Sequence, residues 1–210
     1  MKSGRGELEF EMVTTRGGDR GESSLYDGSR RRKDDVLFQA MGDVDELSSF
    51  LGLLKSPSDA TEHSKANGPS RSRLRLPHGR ARVGSTRIAV KMVSEISEIQ
   101  RDLQRVGAMI ATPVSSPLYA TIRPIDDDDV SRIEQVEHSL LQQTKISGSF
   151  VLPGETRLAA FADVARTVCR RAERHIVTCI RDCGLSNLIP CQRYVNRLSD
   201  YLFVVARSLS

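Results

Sequence analysis

Apolar residues recur at three- and four-residue intervals in five stretches of the chain, with glycine, proline and serine concentrated between them. From Asp34 to Lys55 the apolar positions are Leu37, Ala40, Met41, Val44, Leu47, Leu51 and Leu54, and Pro57 follows. Residues three and four apart share one face of a helical turn, so this spacing predicts an amphipathic helix. A second helix is predicted over about Ile88 to Ala111, carrying Met92, Ile96, Ile99, Leu103, Val106 and Ile110 and stopping before Pro113. A third starts in Asp126–Asp129, where carboxylates favour the positive end of a helix dipole, and continues through Val130, Ile133, Val136, Leu140 and Leu141. The same acidic run also offers the oxygen donors of a divalent-cation site. Gly148 and Pro153-Gly154 bracket a short extended piece, and a fourth helix spans about Thr156 to Asp182. A turn through Gly184 and Pro190 then leads to a fifth, ending near Arg207.

Residues 1–33 are rich in glycine, serine and charge and read as a loop. Residues 56 to about 87 include Pro57, Gly68, Pro69, Pro77, Gly79 and Gly84 and have no sustained apolar period, so a disordered insertion is expected there. The fold expected from this pattern is all-α: an antiparallel five-helix bundle, one domain over 1–210, with an extended glycine-rich N-terminal loop. Composition agrees, since Trp is absent and aliphatic residues carry the apolar load. No apolar run approaches a membrane span.

Charge and cysteine narrow the partners. Between Ser56 and Lys91 there are eight basic residues against two acidic ones, an excess larger than the net +4 of the whole chain. That stretch has no aromatic residue to stack on bases, so no nucleic-acid partner is expected. Cys169, Cys179, Cys183 and Cys191 form no C-x-x-C pair. His175, Cys179 and Cys183 are spaced to share a helical stripe that a metal would accept, but Cys183 abuts Gly184 and cysteines are readily taken into cores. No metal centre is expected, and the thiols read as reduced and intracellular.

Candidate chemistry lies on the last two helices. Arg166, Arg170, Glu173 and Arg174 occupy about a third of one helical circumference, opposite Phe161, Val164, Val168, Ala172 and Ile176. Arg193, Asn196, Arg197 and Asp200 share a face of the next helix. Guanidinium forks and an amide donor suit the oxygens of a polyphosphate, although solvated faces of surface helices have the same pattern. Gly17-Gly18-Asp19-Arg20-Gly21 can bring backbone N–H groups close to phosphate; by itself it is equally a turn.

Motif order separates these alternatives. Thr15-Arg16-Gly17-Gly18-Asp19-Arg20-Gly21, Arg30-x-x-Lys33-Asp34-Asp35, Gly42-Asp43-Val44-Asp45-Glu46-Leu47, Phe150-Val151-Leu152-Pro153-Gly154, Arg166-Thr167-Val168-Cys169-Arg170-Arg171-Ala172-Glu173-Arg174 and Asn196-Arg197-Leu198-Ser199-Asp200-Tyr201 follow one another along the chain. In this order they resemble the signatures of the PduO-type ATP:cob(I)alamin adenosyltransferases. The resemblance implies transfer of the 5′-deoxyadenosyl group of ATP to cob(I)alamin, with triphosphate released. It implies ATP, Mg2+ and cobalamin as ligands, with Thr15, Arg16, Gly18, Asp19, Gly21, Lys33, Arg170, Glu173 and Asn196 on the ATP side. Phe150 matches the family's aromatic wedge beneath the corrinoid, and Asp200 and Tyr201 lie in the block on the corrinoid side. Asp45 and Arg166 correspond to a pair formed across a subunit boundary, in a homotrimer with active sites between neighbours.

The cobalt is itself the nucleophile, so Arg170, Phe150, Asp45 and Arg166 are expected to orient substrates and stabilise charge rather than form a covalent intermediate. A reductase and an adenosylcobalamin-dependent mutase are the implied partners. Family membership also implies an intracellular location, mitochondrial or cytoplasmic; Glu7 and Glu9 beside Lys2 and Arg5 do not make a presequence, while the inserted stretch points to a eukaryotic, mitochondrial setting. A non-catalytic corrinoid- or nucleotide-binding scaffold of the same fold is the competing reading. Three positions depart from the motifs: Gly17 and Asp43 stand where the family has Thr, and Glu155 where it has Gly. Loss of a hydroxyl donor at 17 and extra negative charge at 43 or 155 are expected to weaken ATP or corrinoid binding.

Overall fold

The computed structural model describes residues 10–56, 83–146 and 151–210, apart from the side chains of Met12 and of residues 83–90. The stretch 57–82, Gly148 and Phe150 lie outside the described residues. The helices are α1 (Phe10–Val13), α2 (Val36–Lys55), α3 (Val83–Ala111), α4 (Asp127–Leu141), α5 (Arg157–Cys183) and α6 (Ile189–Ser208), with β1 (Glu22–Ser24) and β2 (Arg30–Arg32) forming an antiparallel hairpin.

Local chemistry sets the ends of the long helices. The Asp35 carboxylate accepts the Leu37 N–H at 2.9 Å and starts α2. Asp126 and Asp129 cap α4 reciprocally, each carboxylate accepting the other's backbone N–H, so the acidic run is a capping box. Thr156 caps α5 through the Ala159 N–H. Gly184, at φ 69, ends α5 in the left-handed region that a side chain would disfavour.

The long helices alternate in direction. Gln100 of α3 donates to the Ser48 carbonyl of α2, and Lys55 reaches Ser97, so these helices are antiparallel. Glu46 of α2 meets Arg171 of α5 and Asp43 meets His175, again antiparallel. The short connection through Gly184–Leu188 reverses α5 into α6. α2 packs between α3 and α5, and α6 between α5 and α4. The α4–α6 pair is parallel, because Asp127 pairs with Arg193 and Glu134 with Arg197. The core between them holds Leu47, Leu51, Ile96, Ile99, Leu103, Ile133, Ile176 and Leu198, each at most 1% exposed; truncating one such Leu or Ile to Ala would cost about 2–5 kcal/mol.

Several expectations are corrected. Residues 10–33 are not loop throughout, because Gly28 at φ 84 and Asp27, which takes the Ser29 N–H and hydroxyl, build the turn of the hairpin. α3 begins at Val83 rather than Ile88, so 83–87 belong to the helix and not to the insertion; once the periodic segment is helical, each added residue contributes a further hydrogen bond. Pro190 lies in the first turn of α6, where its missing N–H removes no helical bond. Val164 and Leu141 are 39% and 43% exposed, not core.

Candidate functional site

The N-terminal loop is folded against the hairpin at one end of the bundle. Leu25 is buried, and the Tyr26 N–H donates to the Ala111 carbonyl at the end of α3, which pins the hairpin tip. Lys33 N–H returns to the Gly21 carbonyl at 2.8 Å, and Arg30 donates to the Gly17 carbonyl at 2.9 Å. Within the loop, Thr15 Oγ1 accepts the Gly17 N–H, Arg16 takes the left-handed conformation at φ 54, and Gly21 has φ 77. The amides of Gly18 and Arg20 make no hydrogen bond among the described residues. A Cβ on Gly18 would lie 2.6 Å from Lys33 Nζ, so only glycine allows the ammonium to sit this close over the loop. Open amides beside an ammonium and the exposed Arg16 and Arg20 form a cationic loop suited to phosphate oxygens. Asp19 is exposed in the same loop and has no ion-pair partner among the described residues.

Further along the bundle, α5 and α6 treat their charges differently. Arg170 is exposed and has no hydrogen-bond or ion-pair partner among the described residues; its carbonyl accepts Arg174 Nη1 at 3.1 Å. Glu173 accepts from Asn196 Nδ2 at 3.0 Å, and Asn196 Oδ1 accepts Arg197 Nη1 at 2.6 Å. Arg197 continues to Glu134 at 2.7 Å, while Arg193 pairs with Asp127 at 2.5 Å. On this shared face the Arg193 and Arg197 guanidinium groups are therefore occupied by carboxylates of α4, while Asn196 faces Glu173 of α5 and Asp200 is exposed. One N–H of the Asn196 amide remains beyond its bond to Glu173.

Asp45 is exposed on α2, and Arg166 lies on α5 with its Nε 3.5 Å from Asp163 of the same helix; the two do not pair within the chain. Asp163 also receives the buried Arg207 guanidinium. Asp200 is exposed, whereas Tyr201 is 2% exposed and its burial raises the phenol pKa above the ordinary tyrosine range. Tyr201 lines a cavity of about 320 Å³ with Met92, Val136, Leu140 and Leu158. Glu137 is pushed up from the usual carboxylate range by burial and then by the Asp200 charge. Burial also pushes the thiols of Cys179 and Cys191 up to about 12, and that of Cys169 further, so these three are protonated thiols at neutral pH. Phe150 is outside the described residues.

One cluster was missed by sequence reasoning. Asp43, 8% exposed, accepts Arg171 Nε at 2.9 Å on one oxygen and His175 Nδ1 at 2.7 Å on the other. The second prong of Arg171 reaches Glu46. The signal was present as Asp43 and Glu46 three apart on α2, and Arg171 and His175 four apart on α5. The expected penalty of negative charge at 43 is thus met by counter-charge within the chain. Glu155 is exposed.

A helical bundle with a glycine loop under a lysine at one end and an unpaired arginine on its penultimate helix defines an anion-binding helical protein. Its sequence matches the cobalamin adenosyltransferase family over residues 13–209, and the chain belongs to that family. It is 35% identical over 201 residues to the cobalamin adenosyltransferase of Cupriavidus metallidurans, a match covering 96% of this chain and 89% of that protein. It is 31% identical over 198 residues to the corrinoid adenosyltransferase MMAB of Bos taurus, covering 93% and 70% respectively. A variant of the PduO-type ATP:corrinoid adenosyltransferase from Lactobacillus reuteri, solved with cobalamin and ATP, superposes with a TM-score of 0.71 at 28% identity, covering 94% of this chain and 92% of that one.

Proposed function

We propose that this chain transfers the 5′-deoxyadenosyl group of ATP to a reduced corrinoid. Cobalt(I) of the substrate attacks the 5′ carbon, a carbon–cobalt bond forms, the carbon–oxygen bond breaks, and triphosphate departs with the electron pair. Four negative charges or more then need stabilising on the leaving group, and the work of the protein is orientation and electrostatics. The open amides of Gly18 and Arg20 and the Lys33 ammonium take one end of the triphosphate, Arg170 donates a directional pair of hydrogen bonds, and Glu173 and Asn196 complete the nucleotide side. Asp19, exposed in the same loop, would hold Mg2+ beside the triphosphate, and the ion would reduce the repulsion among the phosphate oxygens. Phe150, Asp200 and Tyr201 serve the corrinoid side, where exclusion of water and of the lower axial base favours the reduced metal. The observation that carries this reading is the family match across 13–209, which spans the glycine loop and the open arginine in a single fold.

The test is direct. Protein, ATP and chemically reduced cobalamin are mixed and the visible spectrum is followed as the carbon–cobalt bond forms. Binding of ATP and corrinoid without that change would make the chain a non-catalytic scaffold.

The family resemblance also supports a homotrimer in which Asp45 meets Arg166 of a neighbour and the sites lie between subunits. Asp163 already engages Arg166 within the chain, so an Asp45→Asn change leaves the guanidinium one carboxylate rather than none. Asp45→Asn is expected to lower turnover much more than helix content, and Asp45→Asn with Arg166→Ala to lose less than the sum of the single changes. A fully active monomer by light scattering, or strictly additive losses, would overturn the shared site. A corrinoid reductase upstream and an adenosylcobalamin-dependent mutase downstream fit the same reading; the setting is intracellular. No helix among the described residues is long and apolar enough to cross a membrane.

A further inference from the structure

Two arginines stand side by side on α5, and the structure gives them opposite surroundings. Arg171 is occupied by α2, with Nε on Asp43 and Nη2 on Glu46. Arg170, about 100° further round the helix, has no partner among the described residues. The division depends on Asp43. Glu46 is exposed and so is about two-fifths of the Arg171 side chain, and an exposed pair of this kind is screened and weak. Asp43 is buried, and its two oxygens receive donors from two successive turns of α5 at 2.9 and 2.7 Å. Two fixed points one turn apart define the rotation of a helix about its axis, which a single contact does not. Glu173 and Arg174 fall between those points in sequence and inherit their direction from them.

An ionised carboxylate only accepts hydrogen bonds, so His175 must donate from Nδ1, and in its neutral form the free lone pair is on Nε2. The threonine that the related motif carries at this position has one hydroxyl oxygen and no charge. It cannot offer two separated acceptor oxygens to Arg171 and His175.

We propose that Asp43 is a positioning residue for nucleotide binding: it clamps Arg171 and His175 to α2, keeps Arg171 away from the ligand, and so fixes the rotation of α5 that presents Arg170 to the triphosphate. This rests on the reading of Arg170 as a triphosphate ligand. Asp43 does not touch the nucleotide, and its effect is on ATP affinity rather than on the chemical step.

The experiment uses the full chain and its Asp43→Asn, His175→Gln and doubly substituted variants. ATP affinity is measured by calorimetry without corrinoid, and turnover is measured as a function of ATP and of reduced cobalamin. The expected result for Asp43→Asn is an ATP Kd and KM raised about tenfold, as for loss of hydrogen bonds to a charged group, with kcat and the corrinoid KM within about twofold. His175→Gln should raise the ATP KM about threefold, and the double variant should be no worse than Asp43→Asn because both changes act at one carboxylate. Nitrogen NMR of the His175 ring should report a proton on Nδ1 in the wild type and its redistribution toward Nε2 in Asp43→Asn.

Unchanged ATP affinity in a folded Asp43→Asn protein, with only a lowered Tm, would overturn the proposal and leave a structural clamp. An equal rise in the corrinoid KM would overturn it too. Should Asp43→Asn not fold, unaltered ATP affinity in His175→Gln has the same force. A wild type that binds ATP but transfers no adenosyl group would remove the functional reading and leave this inference standing on the calorimetric comparison. A wild type that binds no ATP would remove both.

Discussion

The outward face of α5 and the face that α6 turns toward α4 are built from the same residue types, yet only on the first does a guanidinium stand without a counter-charge among the described residues. On α6, Arg193 and Arg197 are paired with Asp127 and Glu134, and Asn196 is held between Glu173 and Arg197. On α5, Arg171 is paired inward with α2 while Arg170 has no partner among the described residues. The difference is one of neighbours: α6 packs beside the acidic start of α4, whereas exposed Arg170 meets no carboxylate among the described residues. A cationic helix face becomes an anion site only where the rest of the fold has left the cation without a counter-charge.

Replacing Arg170 tests that contrast at its strongest point. Arg170→Ala is expected to lower kcat/KM by at least about 100-fold, the loss of a directed charge contact to the departing triphosphate. Its Tm should stay close to that of the wild type, since no partner in the fold is left unpaired. Steady-state turnover with thermal denaturation checks both halves, and near-normal turnover by the folded variant would take Arg170 out of the site.

Much of this architecture was legible in the sequence. α2, α4 and α5 match the periodic segments to within a few residues because Asp35, Asp126, Thr156 and Gly184 mark their ends chemically, while α6 follows its periodic segment without a side-chain cap. The hairpin was not legible, since three-residue strands are too short for an alternating pattern to register. The Gly18–Lys33 approach was visible only as two motif fragments, and folding supplied their contact. The pairing state of the arginines was hidden for a different reason. Asp43 and Arg171 are 128 residues apart, and periodicity reports which face a side chain occupies but not what lies across from it.

The acidic start of α4 sharpens the comparison from the paired side. Burial acts to raise the Asp129 carboxyl, but hydrogen bonds from Arg105 and the Asp126 N–H, with the nearby Arg105 and Arg123 charges, outweigh it and hold the group below the usual carboxylate range. A depressed carboxyl contributes stability above its unfolded pKa of about 4 and loses it as pH falls through the lower folded value. Asp129→Asn is therefore expected to cost about 2 kcal/mol at pH 6, the scale of hydrogen bonds to a charged group. The two proteins should converge in Tm as pH falls through the lowered folded value, where the wild-type carboxyl is protonated as well. Parallel Tm curves down to pH 2 would show that the charge of Asp129 contributes nothing.

The smallest effect is expected on α6, and it is the sharpest control for Arg170. Arg193 lies on the face that charge patterning alone groups with the nucleotide donors, yet its guanidinium is paired with Asp127, whose side chain is 76% exposed. An exposed pair gains little from Coulomb attraction in water and pays side-chain entropy to form, so its contribution is about 0–1 kcal/mol. Asp127 also sits in the first turn of α4, where the helix dipole favours its charge without Arg193. Arg193→Ala is thus expected to change Tm by no more than about 2–4 °C, as a loss below 1 kcal/mol implies for a chain of this size, and to keep kcat/KM for ATP within about twofold. A loss approaching that of Arg170→Ala would mean that Arg193 leaves Asp127 for the triphosphate when ATP binds, and that the α6 face is a second half of the anion site rather than a strut between helices.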